Sequence, residues 1–306
     1  MPVNADKPHL WKADVAQSVD FYNAWFMRFA PKTYRGTRVM TTLQVKSALG
    51  KTGNLTSISP EVLSTDPAIL PILRMTTAPP LARDRLIGLT GVSPNLVKSM
   101  EIARRLPPQL SATSLERDLK QIGQIIKRLI DRDIFPWLDS NRRPSPLEVD
   151  RAATIIADRL CGALADPIIR NAQEQRQLSV IKRWLEKRSY THLRAYKGKL
   201  TEMQPGTFIF RLNIPVTQNR SSHSVNIPVD VVVTPLHAKV GELPLLIEAK
   251  SAGDYTNTNK RRKEEAIKIA QLTNSYGPAV RFVLFLCGYF DSGYLGYEAA
   301  EGIDWV

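Results

Sequence analysis

The stretch LPLLIEAKSAGDYTNTNKRRKEE, residues 243–265, sets an acid and a lysine two residues apart at the end of an apolar run. Side chains alternate along a strand, so Glu248 and Lys250 share a face. The preceding apolar segment, SVNIPVDVVVTP, carries Asp230 between Val229 and Val231. Those valines point the other way, into the core, which leaves Asp230 on the opposite face. A chain reversal within TPLHAKVGE would bring Asp230, Glu248 and Lys250 to one spot.

Two carboxylates at one spot repel, which raises one pKa. A hard divalent cation resolves the conflict, and Mg²⁺ takes one or two carboxylates together with waters and phosphate oxygens. A protonated lysine is no ligand, but it can orient or acidify an attacking water or stabilise charge growing on a phosphate. The set suits metal-assisted hydrolysis of a phosphodiester, with Asp230 and Glu248 on the metal and Lys250 on the water. The plainer alternative makes Asp230 a strand-end residue and Glu248–Lys250 a surface pair, since an isolated Glu-x-Lys is common by chance.

The basic run supplies a separate expectation. Lys260, Arg261, Arg262 and Lys263 fall in the first turns of a helix predicted from TNKRRKEEAIKIAQLTNSYG, ending near Gly277. Positive charge is unfavourable there because the helix dipole is already positive. DNA phosphates would relieve it, and arginine also reads guanine edges in the major groove. Local neutralisation by Asp254, Glu264 and Glu265 is the alternative. Ser251, Asp254, Asn257 and Asn259 belong to the same expected DNA-facing segment, and the two asparagines would either bond adenine edges or cap the helix.

Composition agrees with a polyanionic partner. Lys plus Arg number 42 against 29 Asp plus Glu, a net charge of +13 over 306 residues. Nucleic acid is the first candidate and an anionic membrane surface the second. Cys161 and Cys287 show no metal-ligand spacing, which argues against zinc, and both read as small core residues. MPVNADKPHLWKAD lacks the apolar centre of a signal peptide, and no apolar run approaches the 18 or so residues of a membrane span. A soluble, cytosolic protein is expected.

The elements that must position these residues change character along the chain. Val15, Val19, Tyr22, Trp25, Phe26 and Phe29 have helical spacing, as do Leu115, Leu119, Ile122, Ile126, Leu129 and Ile130, with Ser114 as the expected N-cap. Arg83 and Arg85 beside Pro79–Pro80 could meet phosphates. SNRRPSP, residues 140–146, reads as a joint. Two helices follow, one from Glu148 to about Ala165 and one through DPIIRNAQEQRQLSVIKRWLEKRSY. After residue 205 the period becomes that of strands: GTFIFRLNIPV, SVNIPVDVVVTP, ELPLLIEAK and AVRFVLFLCG, with the basic helix before the last. This order predicts an α/β core behind a largely helical N-terminal region.

Taken together, PVDVVV…LPLLIEAKSAGD resembles the PD-(D/E)xK nuclease superfamily, whose pattern is an Asp on one strand and Glu-x-Lys on the next. Pro228 stands two residues before Asp230, where the signature places proline immediately before. More narrowly, PPLARDRLIGLTGVSPNLVKSME, NAQEQRQL…WLEKRSY and IEAKSAGDYTNTNKRRKEEA resemble the XamI-type family of type II restriction endonucleases, over most of the chain. The resemblance implies a mixed central sheet flanked by helices as the catalytic core over residues 146–306. Residues 1–145 would clamp DNA or dimerise. It implies Mg²⁺-dependent cleavage of double-stranded DNA at a short palindromic site by a homodimer, since a two-fold site matches a two-fold protein. A bacterial cytoplasmic enzyme with a cognate DNA methyltransferase and no membrane association is expected. The superfamily often adds an acid from the helix before the first strand. Glu174 in NAQEQRQL matches best, and Glu186 in the basic KRWLEKR is the competitor. Two other readings compete: a repair, resolvase or transposon-type nuclease on the same core, and a non-catalytic DNA-binding protein.

Overall fold

The computed structural model describes residues 4, 6–217, 224–256 and 258–306, apart from the side chains of residues 258–261. Helix α1 (Pro8–Lys51) is followed by α2 (Pro60–Thr65), α3 (Leu70–Met75), α4 (Arg83–Thr90), α5 (Pro94–Lys98), α6 (Ala112–Leu129) and α7 (Pro146–Glu186). Then come β1 (Thr191–His192), β2 (Thr207–Thr217), β3 (Ser224–Thr234), β4 (Leu245–Ala252), α8 (Thr258–Tyr276), β5 (Arg281–Gly288), α9 (Ser292–Ala300) and β6 (Asp304–Trp305). The chain is mixed α/β and divides into two compact units, one of residues 30–168 and one of residues 1–29 with 169–306. A cut at 145/146 would fall at the start of α7. The division comes instead inside α7, and the first 29 residues join the sheet-bearing unit, because Ser18, Tyr22 and Asn23 pack or bond there.

The unit of residues 30–168 is helical. Leu119, Ile122 and Ile126 of α6 are fully buried, as the helical stripe requires, against Leu49, Leu63, Leu73, Leu86 and Ile156. Helix α6 starts three residues earlier than expected, because Ser111, not Ser114, is the N-cap: its Oγ accepts the Ser114 N–H at 3.2 Å. Arg83 donates to Glu101 Oε2 at 2.8 Å, and Arg74 holds the same carboxylate, so Arg83 is engaged inside the fold. Cys161 is buried, as expected.

The break expected between the two helices after residue 146 is absent. Helix α7 runs through Pro167, and α1 runs through Pro31. A proline removes one N–H and crowds the carbonyl of residue i−4, a local cost that flanking helix can absorb.

In the other unit the strands lie in the order β1-β2-β3-β4-β5-β6. β2, β3 and β4 pair antiparallel, while β1 with β2, β4 with β5 and β5 with β6 pair parallel. Parallel neighbours need a crossover, which α8 supplies between β4 and β5, and α9 between β5 and β6. Leu178, Ile181 and Leu185 of α7 pack with Phe208, Val231 and Val233, while Leu272, Tyr294 and Leu295 pack with Val232, Leu246 and Leu284. The sheet is therefore covered on both faces. The two-residue strands β1 and β6 and helix α9 carry no periodic signal long enough to be read from the sequence.

Gly288 closes β5 at φ +104°, where a Cβ would run into the Ala252 carbonyl, and its N–H donates to Ser18 Oγ at 2.8 Å. Gly288→Ala should lower stability by about 2 kcal/mol or more. Gly36 lies inside α1 with open space around the missing Cβ, so Gly36→Ala should raise stability by about 0.5–1 kcal/mol. Thermal melts of the two variants should therefore move in opposite directions.

Candidate active site

The antiparallel pairing Val232↔Leu246 and Val231↔Ile247 ends one residue short of Asp230 and Glu248 and so brings the two acids near each other. Alternation puts Glu248 and Lys250 on the face of Leu246. Val229 and Val231 are both fully buried, but Val229 packs with Val232 and Leu246 and Val231 with Phe208 and Val233, so the strict alternation expected across Asp230 does not hold. The Ala249 N–H donates to Asp230 Oδ2 at 2.9 Å, which fixes one strand's acid to the other strand's backbone.

Glu248 is 6% exposed. Its Oε1 accepts from Lys250 Nζ at 3.0 Å and its Oε2 from Lys268 Nζ at 2.5 Å. Lys250 Nζ also lies 3.8 Å from Glu265 Oε1. Burial raises the Asp230 carboxyl above its ordinary range, and the Glu248 charge adds to this; the Ala249 N–H and the two lysines oppose it. Burial works against the Lys250 ammonium, but Glu248, Glu265 and Asp230 outweigh it, so its pKa is raised and it stays charged.

Asp230, Glu248, Lys250 and Ser251 line a cleft of about 490 Å³ together with Glu174 and Gln177 of α7. Glu174 is thus beside the carboxylate pair, where it accepts from Arg211 at 2.5 Å. Glu186 pairs with Lys182 at 3.7 Å and does not line the cleft. The Gln177 amide donates to the Lys250 carbonyl at 2.8 Å, tying α7 to β4. Among the described residues no three His, Cys, Asp or Glu side chains gather as a metal cage. Asp230 and Glu248 do fit a hard divalent cation, which takes one or two carboxylates and fills its other positions with water and phosphate.

The expected DNA-facing residues are distributed unevenly. Ser251 lines the cleft. Asp254 Oδ1 accepts from the Thr256 N–H at 2.8 Å, a local turn bond. Asn257 lies outside the described residues, as do the side chains of Asn259, Lys260 and Arg261, whose backbone forms the first turn of α8. Lys263 is exposed. Arg262 lies over the Tyr297 ring, 3.8 Å from its centroid, so part of the basic run is engaged within the fold.

Lys268, Glu265, Tyr294 and Glu298 are not apparent from residue types alone. Glu265, Ile269 and Leu272 have the i, i+4, i+7 spacing of a buried stripe, and that spacing is the signal that puts Glu265 inside. Glu265 is 1% exposed and accepts from the Tyr294 hydroxyl at 2.5 Å. Glu298 is fully buried beside them. Burial, then the Glu265 charge, push the Glu298 carboxyl up to about 7, against the pull of Tyr294 and Arg262.

A family model described as XamI restriction endonuclease matches residues 53–306. The type II restriction enzyme SalI of Streptomyces albus G is 52% identical over 305 residues, which cover 99% of this chain and 96% of that one. No solved structure matches.

A carboxyl raised in the folded state is best tolerated while protonated in both states. Its contribution is fully present below the ordinary 4.5 and is lost as pH rises through about 7. Glu298→Gln should therefore leave stability near pH 4.5 almost unchanged and raise it at pH 8, by up to about 3 kcal/mol. Denaturant unfolding of both proteins at the two pH values checks this.

Proposed function

The chain belongs to the XamI restriction endonuclease family and is a site-specific deoxyribonuclease, and on that premise we propose that it cuts double-stranded DNA with Asp230, Glu248 and Lys250 on a PD-(D/E)xK-type core. The observation that carries the assignment is the shared cleft of Asp230, Glu248 and Lys250, with Asp230 tied to β4 by the Ala249 N–H.

Asp230 and Glu248 would hold Mg²⁺. When bound, the ion supplies a polarised phosphate and a water acidic enough to attack. The Lys250 ammonium orients that water and stabilises charge growing on the phosphate oxygens. Glu174, at the edge of the same cleft, is a supporting acid. Ser251, Asp254, Asn257, Asn259 and Lys260–Lys263 form the DNA-facing segment, in which the cations neutralise phosphates and Arg262, stacked on Tyr297, serves more as an anchor. The helical unit of residues 30–168 helps to grip the duplex.

The recognised site is short and palindromic and the enzyme a homodimer, because two-fold sites are matched by two-fold proteins. The bacterial cytoplasm, and a methyltransferase that protects the same site, complete this reading. Among the described residues no helix is long and apolar enough to cross a membrane.

Digestion of a sequenced plasmid should give discrete bands with Mg²⁺ and none with a chelator; absence of bands with every divalent cation sinks the assignment. Asp230→Asn, Glu248→Gln and Lys250→Ala should each slow cleavage by about 10²–10³-fold or more while retaining DNA binding. Replacing Lys260 and Arg261 with alanine should instead weaken binding and reduce the salt slope by about one for each phosphate no longer neutralised. Filter binding across a salt series separates the two classes.

A further inference from the structure

Helix α8 offers β4 a second acid and lysine, Glu265 and Lys268, three residues apart and so on one helix face. They pair crosswise with the strand residues. Lys268 holds Glu248 Oε2 at 2.5 Å while Lys250 holds Oε1 at 3.0 Å, and Glu265 stands 3.8 Å from the far side of Lys250. Both helix side chains are well buried, Lys268 at 14% exposed and Glu265 at 1%. The Tyr294 hydroxyl anchors Glu265 at 2.5 Å. The result is an alternating series: Tyr294, Glu265, Lys250, Glu248, Lys268.

Charge-assisted bonds of this kind fix orientation as well as charge. A carboxylate with an ammonium on each oxygen has one rotational setting. A cation approaching it must share or displace one donor. Lys250 reaches Glu248 from two residues away on the same strand, whereas Lys268 reaches it from a different element.

We propose that Lys268 and Glu265 are positioning residues of the cleavage site: Lys268 sets the Glu248 carboxylate and competes with the divalent cation for its Oε2, and Glu265 sets the Lys250 ammonium. This rests on the reading of Glu248 as a metal ligand.

The test is Mn²⁺ binding to the DNA-free protein, followed by electron paramagnetic resonance, with single-turnover cleavage at saturating DNA as the second readout. Lys268→Gln removes the competing ammonium, and Mn²⁺ should bind roughly tenfold tighter. Lys268→Arg keeps the charge and should return the affinity to near the parental value. Glu265→Gln, close to isosteric, should cut the single-turnover rate by roughly tenfold, with DNA affinity measured without divalent cations unchanged. Lys268→Met replaces the Gln variant if that one melts early. Mn²⁺ affinity unchanged or weakened in the Lys268→Gln or Lys268→Met variant, or a parental cleavage rate in Glu265→Gln, overturns the proposal. Glu248→Gln separates the two readings. If it leaves Mn²⁺ binding intact, the metal-ligand assignment fails. If it abolishes binding while Lys268→Gln changes nothing, only the present inference fails.

Discussion

The Glu248 carboxylate is nearly buried, and a second acid, Asp230, lines the same cleft. A buried carboxylate beside a second acid is unfavourable unless positive charge stands by it. The protein supplies it from two sources, Lys250 on the same strand and Lys268 on α8. Much of the sheet-bearing unit can be understood as the means of keeping those charges in register. A buried ion pair is weak evidence of stability but good evidence of a fixed geometry once each partner is bonded. Here each carboxylate oxygen of Glu248 has a donor.

Topology and charge balance then turn out to be served by one element. Strands β4 and β5 are parallel, so a crossover is unavoidable, and α8 is that crossover. Its inner face carries the counter-charges for β4, and its first turns carry the basic run. On the opposite flank Gln177 of α7 bonds the Lys250 carbonyl, so the strand that bears Glu248 and Lys250 is held from both α7 and α8. The Glu265–Tyr294–Glu298 group behind Lys250 is a local cost of this arrangement, because it buries carboxyl groups that α9 must help to accommodate.

Much of this is legible in the sequence, and what is not has physical reasons. The longer strands and α8 announce themselves through period-2 runs and a basic helical segment, and Asp230, Glu248 and Lys250 through their spacing alone. Strand alternation misleads at Asp230, because Val229 and Val231 are both buried but on opposite faces of a sheet that is covered on both sides. Pro167 misleads, because a proline suggests a helix end, yet the buried stripe on both sides of it outweighs one missing hydrogen bond. Ser114 misleads by three residues because Ser111 offers the same chemistry. Lys268 and Glu265 are hidden among like neighbours in KRRKEEAIK, where composition reads as a solvated surface and only the positions of Ile269 and Leu272 mark the inner face. Arg83 looks available to phosphate because Glu101, its partner, is 18 residues away in the chain.

The sheet-bearing unit is discontinuous, since residues 1–29 belong with residues 169–306 and the whole segment 30–168 intervenes. Ser18 bonds the Gly288 N–H and Asn23 accepts from the Tyr289 hydroxyl, bonds that join residues 270 and 266 positions apart. On a ribosome Ser18 and Asn23 must wait for their partners Gly288 and Tyr289 to emerge, while residues 30–168 can condense early around their own core. Long-range closure of this kind is slow, and it comes last. A nascent chain can therefore complete the unit of residues 30–168 well before the sheet-bearing one.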